Sequence, residues 1–263
     1  MHSKTLLKRS NRTLRKNETV EDACHTLTHL HMADLNLTSF ENERLNLYSN
    51  AVCLYCYDNH LQTLDGIENL DRLEELQAQH NELTEIPELS PFILRKADFR
   101  HNKITHVSGL SQQPDLRELF LSYQDVPRLE LTEGCFASQC LSLEVLEIVH
   151  CGLDDLTQLH CLENLMTLNL SDNQINSFDQ IELLLASCTK LENIDFRGNP
   201  ICKQVKYREK VIIMGFFHEF DGKEVLDTQR ETLIRMHQRR GKTPAKKTAP
   251  TKERNPLTVK HLD

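Results

Sequence analysis

Tryptophan is absent from the 263-residue chain, glycine and proline occur only eight times each, and no apolar run approaches 18 residues. The short runs leave no segment long and apolar enough for a membrane-crossing helix. Few glycines leave little material for a phosphate-cradling loop, and the sequence contains no G-x-x-x-x-G-K-[ST], G-x-S-x-G or H-E-x-x-H. These absences argue against an enzyme, and no cofactor or metal is expected. Met1 to Lys16 is interrupted by Lys4, Lys8, Arg9, Arg12 and Arg15, so no secretory apolar region is read there. Nine cysteines, odd in number and irregular in spacing, then read as reduced thiols of an intracellular compartment rather than a disulfide framework.

What is present is repetition. Eight times between Leu27 and Ile201 the chain approximates L-x-x-L-x-L-x-x-N-x-L, most closely at Leu165–Ile175 (LMTLNLSDNQI) and Leu73–Leu83 (LEELQAQHNEL). The asparagine position holds Leu35, Asn59, Asn81, Asn102, Gln124, Cys151, Asn173 and Asn199, in steps of 24, 22, 21, 22, 27, 22 and 26 residues. A phrase of this kind at this period marks a leucine-rich repeat solenoid, an α/β repeat fold that curves right-handedly and uses short strands with helical or 3₁₀ returning arms. The fourth and sixth phrase positions alternate with polar ones and should fill the core, as in Leu30 and Met32 or Leu168 and Leu170. The asparagine amide should satisfy backbone groups stranded inside the tight bend. The longer arms at 127–142 and 176–190 have room for a helix.

A stack of repeats needs capped ends. Four segments follow: a basic N-terminal arm (1–18), the array with an N-terminal helical cap begun by Thr19 (19–200), a C-terminal cap with a charged helix (201–240), and a Pro-, Lys- and Thr-rich tail expected to be disordered (241–263). In the cap, Phe216, Phe217 and Phe220 should cover the last repeat and Asp221-Gly222 should turn. The formal charge of −8 conceals a segregation: +5 over residues 1–20, +7 over 235–263, and −20 over the body between them.

The repeats followed by NPICKQVKYREKVIIMGFFHEFDGKEV resemble leucine-rich repeat proteins with a C-terminal cap motif, matched at Asn199, Pro200, Tyr207, Arg208, Val211, Phe220, Asp221 and Gly222. That family includes regulatory subunits of type-1 protein phosphatase, an axonemal dynein light chain and the spliceosomal A-prime protein. The branch this chain resembles most strongly is the testis leucine-rich repeat type of phosphatase regulatory subunit, linked to microtubules and centrosomes. The resemblance covers residues 20–240 and implies a type-1 phosphatase catalytic subunit as partner, with cytoplasm, centrosome, cilium or flagellum as location and the nucleus as the alternative. The runner-up reading is a ribonucleoprotein assembly factor, and the third is a structural axonemal component. No basic-hydrophobic-x-aromatic phosphatase docking peptide occurs, so a phosphatase contact would fall on the concave face.

Phrase positions three, five, seven and eight project from that face. Tyr55, Tyr57, Phe120 and Tyr123 are its aromatic anchors, with Glu75, Asp98, Glu147, Asp172 and Asp195 as an acidic field for a basic partner surface. The alternative is that the rings fill gaps between strands and the acids serve solubility. In the tail, Arg239, Arg240, Lys242, Lys246, Lys247 and Lys252 should hold an acidic polymer such as tubulin tails or nucleic acid, or serve as an import signal; a solubilising tail is the bland alternative, and Thr243-Pro244 is a candidate phosphorylation site. The body's charge disfavours direct nucleic-acid binding. Cys53 and Cys56 should face opposite sides of one strand, and His29, His31, His80, His101 and His150 are spread over too many repeats to converge on a metal.

Overall fold

The computed structural model describes residues 2–89 and 93–241, with side chains described as far as residue 238. Among the described residues, ten short strands form one sheet. In chain order the strands are β1 (His29–His31), β2 (Cys53–Tyr55), β3 (Glu75–Gln77), β4 (Lys96–Asp98), β5 (His106–Val107), β6 (Glu118–Phe120), β7 (Glu130–Leu131), β8 (Val145–Glu147), β9 (Thr167–Asn169), β10 (Asn193–Asp195), β11 (Glu219–Phe220) and β12 (Lys223–Glu224). The large sheet runs β1-β2-β3-β4-β6-β8-β9-β10-β11-β12, parallel until the last pair. This is the expected leucine-rich repeat solenoid.

Register explains why the repeat works. Leu30, Leu54, Leu76, Ala97, Leu119, Leu146, Leu168 and Ile194 pair in line across the sheet, and Phe220 continues the row. All are buried, as are the sixth-position residues from Met32 to Phe196. At about 1.5–3 kcal/mol for each large apolar side chain, these two columns supply much of the drive for stacking. The asparagine ladder lies beside them. Asn59 Oδ1 accepts the Leu35 and Leu37 amides, while its Nδ2 donates to the carbonyls of Met32, Cys56 and Tyr57. Asn81, Asn102, Asn173 and Asn199 repeat the arrangement. Gln124 does the same work, accepting from Ile104 N at 3.0 Å and donating to Phe99 O and Leu121 O at 2.9 Å. Cys151 substitutes only partly, its thiol directed at Leu121 O and Val149 O at 3.3 Å.

The arms differ from expectation at one place. The 176–190 arm carries a helix at Phe178–Ser187, whereas 127–142 hold no α-helix. There β7 pairs in parallel with β5 on a separate two-stranded sheet, followed by a 3₁₀ turn at Ala137–Gln139. Leu129 is buried and carries the arm inward before a helix could extend from Pro127.

The N-terminus also departs from the sequence reading. Residues 2–18 do not stand off as a basic arm. Helix α1 (Ser3–Arg9) buries Leu6 and Leu7 against α2 (Val20–His25), so the segment belongs to the cap. Arg9 extends its guanidinium along the free edge of β1 to the carbonyls of His31, Ala33 and Asp34. Together with Ser10 Oγ, which donates to His29 O, it satisfies carbonyls along a sheet edge that no strand covers among the described residues. Helix α2 begins as expected, with a capping box in which Asp22 N donates to Thr19 Oγ1 and Thr19 N donates to Asp22 Oδ2.

At the other end stand α3 (Phe178–Ser187), α4 (Tyr207–Met214) and α5 (Asp227–Gly241). Asp221 and Gly222, with φ of 52° and 68°, form the two-residue turn joining β11 to β12. Phe217 and Phe220 are buried over the last repeat, but Phe216 is 81% exposed. Gly215 is extended, and neighbours on an extended chain face opposite ways, so of Phe216 and Phe217 only Phe217 reaches the core. The matched motif residues form one network. Asp221 Oδ1 accepts Phe196 N at 2.9 Å and the Tyr207 hydroxyl at 3.4 Å, and Arg208 donates to Phe220 O while lying over its ring. Burial raises the pKa of both Asp221 and Tyr207. Arg230, also buried, locks α5 onto the cap through Phe217 O and Ile212 O and pairs with Asp227.

Candidate protein-docking face

Three residues beyond the strand of each repeat the backbone turns left-handed. The eighth phrase position has positive φ in all eight copies: Asp34, Asp58, His80, His101, Tyr123, His150, Asp172 and Gly198. This is the conformation that Asp, His and Gly accept more readily than most residues. It turns one side chain per repeat onto a common rim, which the hydrophobic pattern does not reveal. Four of these side chains stack. Ring centroids are 4.2 Å apart for His80–His101, 4.8 Å for His101–Tyr123 and 6.0 Å for Tyr123–His150. Burial, then the charges of His80 and Arg100, lower the His101 pKa.

Across the strands, the expected anchors occupy two separate patches. Tyr55 and Tyr57 are half-buried near the N-terminal end, where Tyr55 stacks on His31 at 4.9 Å. Burial, reinforced by Cys53 and Glu75, pushes the Tyr55 phenol up to about 12. Phe120 lies mid-array, half-buried, with Lys96 and Arg100 against its ring at 5.5 and 5.2 Å. Tyr123 belongs to the rim and is 43% exposed.

The acids do not form a continuous field. Asp98 is buried and holds Arg100 bidentately, with Nε at 3.0 Å and Nη2 at 2.6 Å. Asp195 holds Arg197 in the same way, its Nε contacts being 2.8 and 3.0 Å. Both copies read D-F-R, so each carboxylate meets a cation two residues on along one strand edge. Glu118 pairs with Lys96 at 2.8 Å, Glu147 accepts from Ser122 at 2.7 Å, and Glu75 accepts from Gln77 at 2.6 Å. Of the five acids expected on the face, only Asp172 makes no side-chain hydrogen bond or ion pair among the described residues. Cations therefore neutralise Asp98 and Asp195, while Glu75 and Glu147 keep their charge beside neutral donors and Asp172 stands on the rim without a side-chain partner among the described residues.

Cys56 is buried in the core and Cys53 lies on the opposite strand face, 3.7 Å from Glu75 Oε2. All nine cysteines are free thiols. Lys242, Lys246, Lys247 and Lys252, Thr243-Pro244, and the side chains of Arg239 and Arg240 lie outside the described residues.

A parallel ladder of three-residue strands, an internal amide ladder and capped ends define a leucine-rich repeat solenoid, a fold whose curved strand face is an interaction surface. No family model matches the chain. It is similar to U2 small nuclear ribonucleoprotein A′ of Eremothecium gossypii, 35% identical over 68 residues, covering 26% of this chain and 29% of that protein. It is also similar to leucine-rich repeat-containing protein 23 of Bos taurus, 28% identical over 200 residues, covering 67% of this chain and 55% of that one. The chain thus spans less than two thirds of either relative. Among solved structures, an internalin of Listeria monocytogenes superposes with a TM-score of 0.65 at 18% identity, covering 80% of this chain and 59% of that one. A leucine-rich repeat protein of Leptospira interrogans does so with a TM-score of 0.62 at 25% identity, covering 75% and 50%. These relatives are repeat proteins, in keeping with an interaction module.

Proposed function

We propose that the chain is a non-enzymatic scaffold that docks a protein partner on its concave face. The observation that carries this is Phe120, a large ring left half-exposed at mid-array between Lys96 and Arg100, where a partner side chain can complete its packing. The finer reading is a regulatory or targeting subunit of type-1 protein phosphatase at microtubules, centrosome or cilium. Support for it is the resemblance of the cap, whose Tyr207, Arg208, Phe220 and Asp221 form a single network, together with the basic tail sequence. A second reading, a ribonucleoprotein assembly factor, is favoured by the 68-residue similarity to U2 A′.

One capture experiment separates them: wild type against Tyr55→Ala/Phe120→Ala, with bound proteins identified by mass spectrometry. The proposal expects a phosphatase catalytic subunit with wild type and at least a tenfold loss with the double variant. Recovery of RNA-processing proteins without phosphatase or tubulin selects the second reading. Co-sedimentation with microtubules at rising salt tests the tail. Equal pelleting of the full chain and a chain ending at Arg240 removes its role.

A further inference from the structure

We infer that the cleft beside the opening of the ring ladder, lined by Tyr123 and His150, receives an arginine side chain of the docked partner. This rests on the scaffold reading and assigns a partner chemistry to one part of the face.

The ladder is close and flat at His101–Tyr123, where the rings are inclined by 5°, and opens to 28° at Tyr123–His150. The opening coincides with the 27-residue step, in which Asp125-Val126-Pro127 follows Gln124. A cleft of about 540 Å³ lies here, lined by Tyr123, Asp125, Pro127, His150, Asp172 and Gln174 among others. Gly152 also lines it, with φ of +67° and so little room that a Cβ would strike the Pro127 carbonyl. The glycine leaves that wall bare of a side chain.

Chemistry narrows what the cleft can take. Asp125 and Asp172 are exposed and make no side-chain hydrogen bond or ion pair among the described residues, unlike the strand acids with their internal partners. The nearby cation acting on Asp172 is Arg197, itself clamped by Asp195. The cleft therefore joins two uncommitted carboxylates to two aromatic walls. A guanidinium satisfies both features, since its flat face stacks on a ring while its N–H fork donates to carboxylate. An ammonium is a compact, strongly hydrated charge that uses the carboxylates but gains little from the walls.

The test uses the full-length chain and the peptide Ac-Gly-Gly-Arg-Gly-Gly-amide, followed by NMR at the His150 ring C–H and the Gly152 amide. Saturable shifts at both are expected, with the lysine peptide at least fivefold weaker. The isosteric Asp125→Asn/Asp172→Asn variant should weaken arginine-peptide binding at least tenfold. Absence of saturation, equal affinity for the lysine peptide, or indifference to the double substitution overturns the assignment. The two readings fail separately. Partner capture lost in Tyr55→Ala/Phe120→Ala but kept in Asp125→Asn/Asp172→Asn sinks the cleft and spares the scaffold. Specific arginine-peptide binding with no partner captured does the reverse.

Discussion

The imidazoles of His80 and His101 lie face to face, 4.2 Å apart and within 8° of parallel. Both cannot become cations without mutual repulsion. The His101 pKa is lowered from its ordinary 6.5, first by burial and then by His80 and Arg100. The unfolded chain therefore takes up this proton at higher pH than the folded one, so the contribution is complete above pH 6.5 and is lost as pH falls below it. His31, lowered by burial and by His29 and Arg9, acts in the same sense. Urea midpoints at pH 7.5 and 5.5 should differ more for wild type than for His101→Asn, an exchange that keeps a residue tolerant of left-handed backbone. An unchanged difference refutes the ladder's role.

Asn102 and Gln124 occupy equivalent places in successive repeats but should respond differently to substitution. Asn102→Ala strands Leu83 N and the carbonyls of Ala78 and Phe99 in the interior, a loss of about 3 kcal/mol. Gln124→Asn restores the residue used elsewhere in the ladder and should stay within about 1 kcal/mol of wild type. Denaturant unfolding of both variants is the check.

Gly152→Ala places a methyl group against the Pro127 carbonyl at a φ of +67°. Left-handed strain alone is about 1–2 kcal/mol, and the backbone clash adds to it. A drop in unfolding free energy below about 1 kcal/mol would mean that the 125–127 segment yields freely.

Arg230→Met removes the donors to Phe217 O and Ile212 O while keeping much of the side-chain volume. The expected loss is about 2–4 kcal/mol, concentrated in α5. Hydrogen exchange should accelerate there and around Phe217 while β2 to β9 keep their protection, because neighbouring repeats sustain one another. Uniform acceleration along the array would contradict this local view.

Leu6→Ala should destabilise the protein by about 3 kcal/mol, because Leu6 is wholly buried in the cap. A free basic arm would show no measurable change in thermal unfolding.

Sequence pattern revealed the architecture wherever burial repeats. The first, fourth and sixth phrase positions are legible because one residue type serves one column. The C-terminal cap was legible through Tyr207, Phe220, Asp221 and Gly222, whose spacing encodes a single network. The basic composition of 1–18 concealed Leu6 and Leu7, since two adjacent leucines make no periodic stripe over so short a helix. The eighth phrase position is expected to project, but its left-handed backbone and ring stacking were not legible. Its members, Asp, His, Tyr and Gly, share a backbone angle rather than a polarity. Two of the five expected acids, Asp98 and Asp195, lose their charge to a neighbour, which reading charge residue by residue does not show. In D-F-R the aspartate and arginine flank one inward residue, so they project side by side and neutralise each other.

The hairpin at Asp221-Gly222 has a consequence for how such a protein can change in length. Every earlier strand runs in the same direction, so a duplicated unit placed among them inherits a matching neighbour on each side. After β12 the direction is reversed, and a unit appended there would meet a strand of the wrong polarity. The array can therefore grow or shrink by insertion or deletion of interior modules, but its C-terminal boundary travels as a fixed terminator.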